Sequence, residues 1–177
     1  MELEKYKGLT IRYEQDQDAE SPEDFECPEN GVWLITTRNR YFEVIPKGHS
    51  LDEVVEANGK GELYEDKFKI YPLYAYAHSG VVLSLGAFGC PWDSGQIGFV
   101  LIDADPSIIP DPDKAAECLV ETWNQYLSGD VWGYIIEDSE GNDLDSCWGH
   151  YGEEWCREAA HQAADCIAES LACDFQI

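Results

Sequence analysis

The segment that points to the fold class reads YPLYAYAHSGVVLSL from Tyr71 to Leu85, followed by IGFVLI from Ile97 to Ile102. It contains three short runs of apolar, β-branched and aromatic residues, which are separated by glycine-containing turns and are typical of strands. His78-Ser79-Gly80 is short enough for a tight hairpin, and residues 89–95 form a longer loop before the third run. The middle of the chain therefore predicts an antiparallel sheet.

Further strands and three helices are predicted around this segment. The other strand-like runs are Lys7–Tyr13, Gly31–Thr37, Val131–Ile136 and Leu144–Trp148. Two segments have apolar residues three or four positions apart, as in amphipathic helices. These segments are 110–127, which begins at Pro110-Asp-Pro-Asp113, and 152–173. A capping-box pattern at Ser50 and Glu53 predicts a third, short helix over 51–57.

The predicted order of elements indicates an α+β fold, with a mainly antiparallel sheet and two principal helices packed on one of its faces. We expect one domain spanning residues 1–177, with the acidic, proline-containing residues 14–30 as an irregular excursion. In the last helix the expected buried face is Trp155, Ala159, Gln162 or Ala163, Cys166 or Ile167, and Leu171.

The chain is strongly acidic. Its 177 residues include 36 acidic and 11 basic ones, a formal net charge of −25. Residues 71–177 contain 19 acidic residues, and only Lys114 and Arg157 are basic. This charge excludes a protein that holds a phosphate backbone through its own net field, and it argues against docking on an anionic membrane.

No run approaches 18 apolar residues, and Met1–Lys5 lack the pattern of a signal peptide. We therefore expect an intracellular protein. Because of its net negative charge, we also expect that it does not bind nucleic acid directly.

Three explanations of the acidity compete: solubility in a high-salt cytoplasm, a divalent-cation site, and a cationic macromolecular partner. The acid-rich loop 137–145 is reminiscent of a calcium loop, but Tyr134-Ile-Ile136 before it is strand-like and Gly141-Asn142 predicts a hairpin turn. A calcium-binding EF-hand is therefore not expected.

A cationic partner could be bound by imitation of DNA. A compact chain of this length spans roughly 40 Å, over which duplex DNA carries roughly 24 charges. The protein has the larger surface, so mimicry requires its carboxylates to be concentrated roughly threefold on one face. The candidate partner-binding residues are Asp103, Asp105, Asp111, Asp113, Glu117, Glu121, Glu137, Asp138, Glu140, Asp143, Asp145, Glu153 and Glu154.

The seven cysteines contain no Cys-x-x-Cys pair and are expected to be reduced thiols. Cys90 with His78 and Asp93 is the best arrangement for a catalytic thiolate, which needs a base and an orienting group. The alternative is that residues 90–95 simply form a turn, with Pro91 fixing φ.

A zinc site is the other possible use of the thiols, because Cys147, His150, Cys156, His161 and Cys166 have suitable residue types. The helical spacing of the last three prevents them from converging, so Cys147, His150 and Cys156 remain. No cofactor is expected, and these thiols are interpreted as core residues. Core packing is also expected for four tryptophans, Trp92, Trp132, Trp148 and Trp155.

Four segments carry a resemblance to a known family: Asp18–Glu23, Gly89–Phe99 (GCPWDSGQIGF), Tyr126–Tyr134 (YLSGDVWGY) and Asp145–Gly149 (DSCWG). In these segments the chain resembles a family of small acidic proteins carried by bacteriophages and integrative mobile elements. The resemblance covers most of the chain and implies a setting in which such proteins often disarm restriction or CRISPR systems, some of them by imitating DNA.

The resulting hypothesis is a non-enzymatic counter-defence protein in the cytoplasm of a bacterial host. It would inhibit a cationic, nucleic-acid-binding nuclease complex. The alternatives are a small cysteine-dependent enzyme that uses Cys90 and His78, and an acidic adaptor without mimicry.

Overall fold

The computed structural model describes residues 2–22, 31–36 and 68–174. The strands are β1 (Glu2–Tyr6), β2 (Leu9–Gln15), β3 (Val32–Thr36), β4 (Phe68–Ala77), β5 (Val81–Ser84), β6 (Ser94–Asp103), β7 (Val131–Glu137) and β8 (Asp143–Tyr151). The helices are α1 (Pro112–Ser128) and α2 (Glu153–Asp174). These elements confirm the predicted α+β class with antiparallel strand pairing.

The chain divides into two compact units. The first unit combines Met1–Glu20 with Gly129–Ile177, and the second unit is Ser21–Ser128. Among the described residues each unit has one four-stranded sheet and one helix, so these strands form two sheets where the sequence led us to expect one. The expectation of a single domain over 1–177 stays a prediction.

The first sheet has the order β1-β2-β7-β8, and all its neighbouring strands are antiparallel. The predicted strand over 7–13 was wrong at its start, because Lys7 and Gly8 form the two-residue turn between β1 and β2. Both have positive φ, 48° and 86°, the combination that a type I′ hairpin turn requires. The predicted excursion at 14–30 also begins too early, since Glu14 and Gln15 belong to β2; residues 23–30 lie outside the described residues.

Helix α2 packs against β2, β7 and β8 through its small residues. Cys156, Ala160 and Ala164 are fully buried at four-residue intervals and contact the buried rings of Tyr13 and Tyr134 in one core.

The predicted face was therefore partly wrong. Ala159, Ala163 and Ile167 are partly buried, but Trp155 is 66% exposed, and Leu171 and Cys166 are exposed. Small side chains face the sheet because the large tyrosine rings below them already fill the space.

The second sheet has the order β3-β6-β4-β5. Its three central runs and the hairpin at 78–80 agree with the sequence prediction, and His78 N–H donates to the Gly80 carbonyl at 3.2 Å. Helix α1 covers one face and buries Ala116, Val120 and Trp123 there, as its periodicity predicts. The predicted helix over 51–57 lies outside the described residues.

Helix α1 has well-defined ends. Asp111 is its N-cap, because its carboxylate accepts the Lys114 N–H at 3.1 Å, and Pro112 occupies the first helical position. Gly129, with φ of 74°, follows the last helical residue as sequence reasoning predicts.

Neither α1 nor α2 has the combination of length and apolar content that crossing a membrane requires.

The expected burial of the four tryptophans is wrong for three of them. Trp92 is 92% exposed, and Trp148 and Trp155 are also exposed.

Candidate functional site

The basic residues of the first unit are all engaged by neighbouring side chains. Lys7 Nζ lies 2.9 Å from Asp165 Oδ1, and Lys5 donates to the Thr10 hydroxyl. Arg12 lies 3.4 Å from a carboxylate oxygen of Glu14 and also of Glu137. Lys7 and Arg12 are thus paired with carboxylates, whereas the contact of Lys5 is with a neutral hydroxyl.

Arg157 is the fourth basic residue of this unit. Its guanidinium contacts the carboxylates of Glu2 and Glu4 on β1 and that of Glu153 on α2. It also lies 4.4 Å from the centroid of the Tyr13 ring. Lys7 and Arg157 thus pair with acids on the side of the sheet that carries α2. Lys5 and Arg12 lie on the opposite face, because they alternate with the core residues of β1 and β2.

The solvent-facing side of α2 is acidic. At 100° per residue, four of its carboxylates fall within a 60° arc, and they define the α2 stripe: Glu154, Glu158, Asp165 and Glu169. Only Asp165 has an ion-pair partner among the described residues. Its pKa is lowered by the hydrogen bonds that it accepts from Lys7 and Tyr6. Of these four acids only Glu154 was predicted as a contact residue, although their helical spacing in the sequence would have identified the others.

The β7–β8 hairpin carries a second acidic group, the hairpin acids: Glu137, Asp138, Glu140, Asp143 and Asp145. Asp138 is occupied by its own turn, because its carboxylate accepts the backbone N–H of Glu140 at 2.8 Å and of Asn142 at 2.9 Å. A side-chain hydrogen bond from Asn142 is the largest cause of its lowered pKa. Residues 138–142 thus form the turn of the β7–β8 hairpin, where the sequence predicts a turn at Gly141-Asn142.

The other hairpin acids differ in their contacts. Asp145 Oδ2 lies 3.5 Å from the Tyr134 hydroxyl, and burial together with this charge raises the pKa of Tyr134 to about 12. Glu140 and Asp143 are exposed and make no side-chain contact with another described residue. The hairpin therefore presents free carboxylates beside structurally occupied ones.

In the second unit several of the predicted contact acids have local structural roles. Asp103 and Asp105 accept backbone N–H groups two residues ahead, and hydrogen bonds from Ser107 lower the pKa of Asp105. Asp113 accepts from Lys69 Nζ and from the Tyr71 hydroxyl, both at 2.7 Å, and Lys69 is the largest cause of its lowered pKa.

The remaining predicted acids of this unit, Glu117 and Glu121, are exposed one helical turn apart on α1 without an ion-pair partner in the described part of the chain. They line a groove of about 630 Å³ between α1 and β5, which also includes Asn124 and the edge of β5.

The candidate catalytic residues lie around one loop, but their spatial arrangement does not suit a catalytic thiol. Asp93 Oδ2 lies 3.7 Å from Cys90 Sγ and also 3.7 Å from His78 Nδ1, so the carboxylate, and not the imidazole, is the neighbour of the thiol. A catalytic thiol needs a base beside it, and in this arrangement the imidazole of His78 does not take that place. The His78 side chain is 69% exposed, which leaves its ring to solvent.

The candidate metal ligands are not gathered into a site. The described residues contain no group of three His, Cys, Asp or Glu side chains placed to hold a metal ion. Cys156 is buried, which raises the pKa of its thiol to about 12, whereas Cys147 is exposed on β8. His150 stacks on Tyr134 at 5.6 Å between centroids, and burial lowers its pKa.

Comparisons of the chain with protein-family models, with curated proteins and with solved structures gave no match. The resemblance to acidic proteins of phages and mobile elements therefore stays a prediction, and the function has to be inferred from the charge and contacts of the described residues.

Proposed function

We propose that the chain is a non-enzymatic counter-defence protein of a phage or mobile element, acting in the cytoplasm of a bacterial host. It binds the cationic nucleic-acid groove of a host defence nuclease and prevents the nuclease from engaging DNA or RNA. The proposal is carried by five carboxylates of the first unit that have no ion-pair partner among the described residues, while Lys7, Arg12 and Arg157 are paired with other acids. These five are Glu154, Glu158 and Glu169 on α2 and Glu140 and Asp143 on the β7–β8 hairpin.

The repulsion between the carboxylates of the α2 stripe lowers the stability of the helix, and this supports a binding role for the stripe. Glu154 and Glu158 lie four residues apart on α2, and so do Asp165 and Glu169. Like charges at this spacing destabilise a helix by about 0.2–0.5 kcal/mol per pair. A lysine at either member of a pair would reverse the sign of that energy, so solubility alone does not require four acids in one row.

The geometry also limits how closely DNA could be imitated. From Glu154 to Glu169 the helix rises about 22 Å, over which one DNA strand presents about six or seven phosphates. Four carboxylates supply part of that density. We therefore expect opposite charge to steer the partner and to make association fast and salt-sensitive, without replacing each phosphate in turn.

A competition experiment tests this function. Proteins of a bacterial lysate are loaded on a duplex-DNA resin, and the purified chain is used as eluent beside polyglutamate of equal charge concentration. We expect the chain to release a nuclease subunit at a concentration at which polyglutamate does not, and to lose this effect as salt is raised. Release that is no better than with polyglutamate would contradict the proposal.

Charge-matched variants localise the effect. Glu158→Gln with Glu169→Gln neutralises two acids of the α2 stripe, whereas Asp18→Asn with Glu20→Gln makes the same change in net charge elsewhere in the unit. Only the first pair should weaken the elution. Equal weakening would mean that total charge, and not the stripe, is responsible.

A further inference from the structure

Strand β8 is an open edge of the first sheet. It follows β7 in the order β1-β2-β7-β8, and within the described part of the chain it pairs with no other strand. Residues 141–148 are all exposed to solvent. Over 143–148 the backbone is hydrogen-bonded to β7, and the one side chain of the described residues that approaches its backbone groups is Cys147, whose Sγ lies 3.8 Å from the adjacent Trp148 carbonyl. The outward N–H and C=O groups of this stretch can therefore bind another strand.

The edge of the second sheet shows how such an edge can be closed within the fold. Asn124 of α1 donates to the Leu83 carbonyl at 3.0 Å and accepts the Leu83 N–H at 2.7 Å, so one side-chain amide pairs with both backbone groups of β5. No side chain of the described residues does this for 143–148. The edge of β5 is thus partly closed by hydrogen bonds from a side chain, whereas the edge of β8 over 143–148 has no such closure from the described residues.

The side chains of β8 select the kind of strand that can be added. Asp145 and Cys147 lie on the face that carries α2, since they pair with Ile136 and Tyr134 of the core. Trp148 lies on the other face, with its ring over Gly133, and is 44% exposed. An added strand would meet carboxylates on one side and an aromatic surface on the other.

Charge disfavours a second copy of β8 and favours a basic strand. In a pairing centred near residue 144, a second copy would bring Asp143 and Asp145 towards the same carboxylates of its partner, and like charges on neighbouring strands are destabilising. The interval 129–156 contains no lysine or arginine to offset this repulsion. A strand with basic residues at alternate positions and apolar residues between them would gain opposite-charge pairs and contact with Trp148.

We propose that β8 binds an extended segment of the partner protein, rich in lysine or arginine, as a fifth strand of the first sheet. This deepens the proposed function and rests on it, because it names a backbone contact by which the same cationic partner is held. Backbone hydrogen bonds supply affinity, and the alternating side chains supply selectivity.

A synthetic peptide tests the site without the natural partner. The probe is a blocked decapeptide that alternates lysine and valine, and its control is the same peptide with every backbone nitrogen methylated, which keeps the charges but removes the donors. We expect the unmethylated peptide to bind at least about tenfold more tightly and to slow hydrogen exchange at residues 143–148. Equal affinity of the two peptides would overturn the proposal.

Variants of the chain provide the second control. Asp143→Asn with Asp145→Asn should lower the affinity for the lysine peptide several-fold, while Asp18→Asn with Glu20→Gln, an equal change in charge elsewhere in the unit, should leave it within about twofold. Equal losses would mean that the peptide responds to net charge alone. Protection of 143–148 without peptide, with a dimer in sedimentation, would assign the edge to a second copy and overturn the proposal.

The peptide and elution experiments can fail independently. If the chain displaces a nuclease from DNA but does not distinguish the two peptides, strand addition is wrong and the inhibitor function stands. If the peptides are distinguished but nothing is displaced, β8 binds basic strands for a purpose other than nuclease inhibition.

Discussion

The side-chain amide of Asn124 pairs with both backbone groups of Leu83, accepting the N–H at 2.7 Å and donating to the carbonyl at 3.0 Å. It thereby links α1 to the edge of β5 and provides the hydrogen bonds that a neighbouring strand would otherwise provide.

Replacing this amide should weaken the second unit. Asn124→Ala leaves a partly buried N–H and C=O without their partners, and we expect a loss of about 1–3 kcal/mol in the free energy of unfolding. Gln125→Ala, one position along the same helix, is the matched control. Urea unfolding of both variants measures the difference, and similar losses would show that the Leu83 contact contributes little.

Gly133 and Trp148 should be energetically coupled. A Cβ atom at Gly133 would lie 2.2 Å from the Trp148 ring, so Gly133→Ala must displace the ring and should destabilise the fold by about 1–3 kcal/mol. Trp148→Val should remove most of that penalty in the double variant, because the smaller side chain no longer covers the glycine.

A double-mutant cycle from thermal unfolding measures this coupling. Gly80→Ala is the control, because no heavy atom lies within 4 Å of the Cβ it would add. Strict additivity of Gly133→Ala and Trp148→Val would contradict the contact.

The thiols should react in an order set by exposure and ionisation. Cys118, Cys147 and Cys166 are exposed, whereas burial raises the pKa of Cys156 to about 12 and keeps it protonated. With Cys27 and Cys173 replaced by serine, iodoacetamide at pH 8 should modify the three exposed residues first and Cys156 only after unfolding.

The same experiment tests the enzyme hypothesis through Cys90. Selective modification of Cys90 ahead of the exposed cysteines would support a catalytic thiolate near His78. Peptide mapping at several reaction times distinguishes the two results.

Glu4 should make stability depend on pH. Burial opposes its ionisation, but hydrogen bonds from the Tyr13 hydroxyl and His161, each 2.9 Å away, outweigh this and lower its pKa below the ordinary value of 4.5. A carboxyl group whose pKa is lowered by folding stabilises the fold above its unfolded pKa, and this contribution is lost as the pH falls through the folded pKa.

Glu4→Gln should therefore lower the free energy of unfolding by about 1 kcal/mol at pH 5.5, and by progressively less towards pH 3. Denaturant unfolding at several pH values measures the difference between wild type and variant. Glu158→Gln removes an exposed carboxylate without an ion pair and is not expected to follow this course. A difference for Glu4→Gln that stays constant with pH would contradict the assignment.

Periodicity predicted the elements whose partners lie close in sequence. The three runs between Tyr71 and Ile102 and the helix that ends before Gly129 were identified because strand alternation, helical spacing and turn residues agree there. Strand β1 was missed, since Lys7-Gly8 is an unusual sequence for a two-residue hairpin turn and the flanking residues are mostly charged.

The face of α2 and the roles of the acids could not be derived from the sequence. Hydrophobicity favoured burial of Trp155, but the rings of Tyr13 and Tyr134 leave room only for alanine and cysteine against the sheet. Counting carboxylates likewise did not distinguish Asp111, which caps a helix, from Asp143, which is free. Such distinctions depend on which backbone N–H groups lie within reach of each carboxylate.

The first sheet joins strands from both ends of the chain, and this has a consequence for synthesis on the ribosome. Strand β2 ends at Gln15 and its neighbour β7 begins at Val131, so 115 residues must be translated between them. At elongation rates of about 5–20 residues per second this takes roughly 6–23 s. During that interval the nascent β1–β2 hairpin exposes Ile11 and Tyr13, and a chaperone that shields these side chains would raise the yield of native protein.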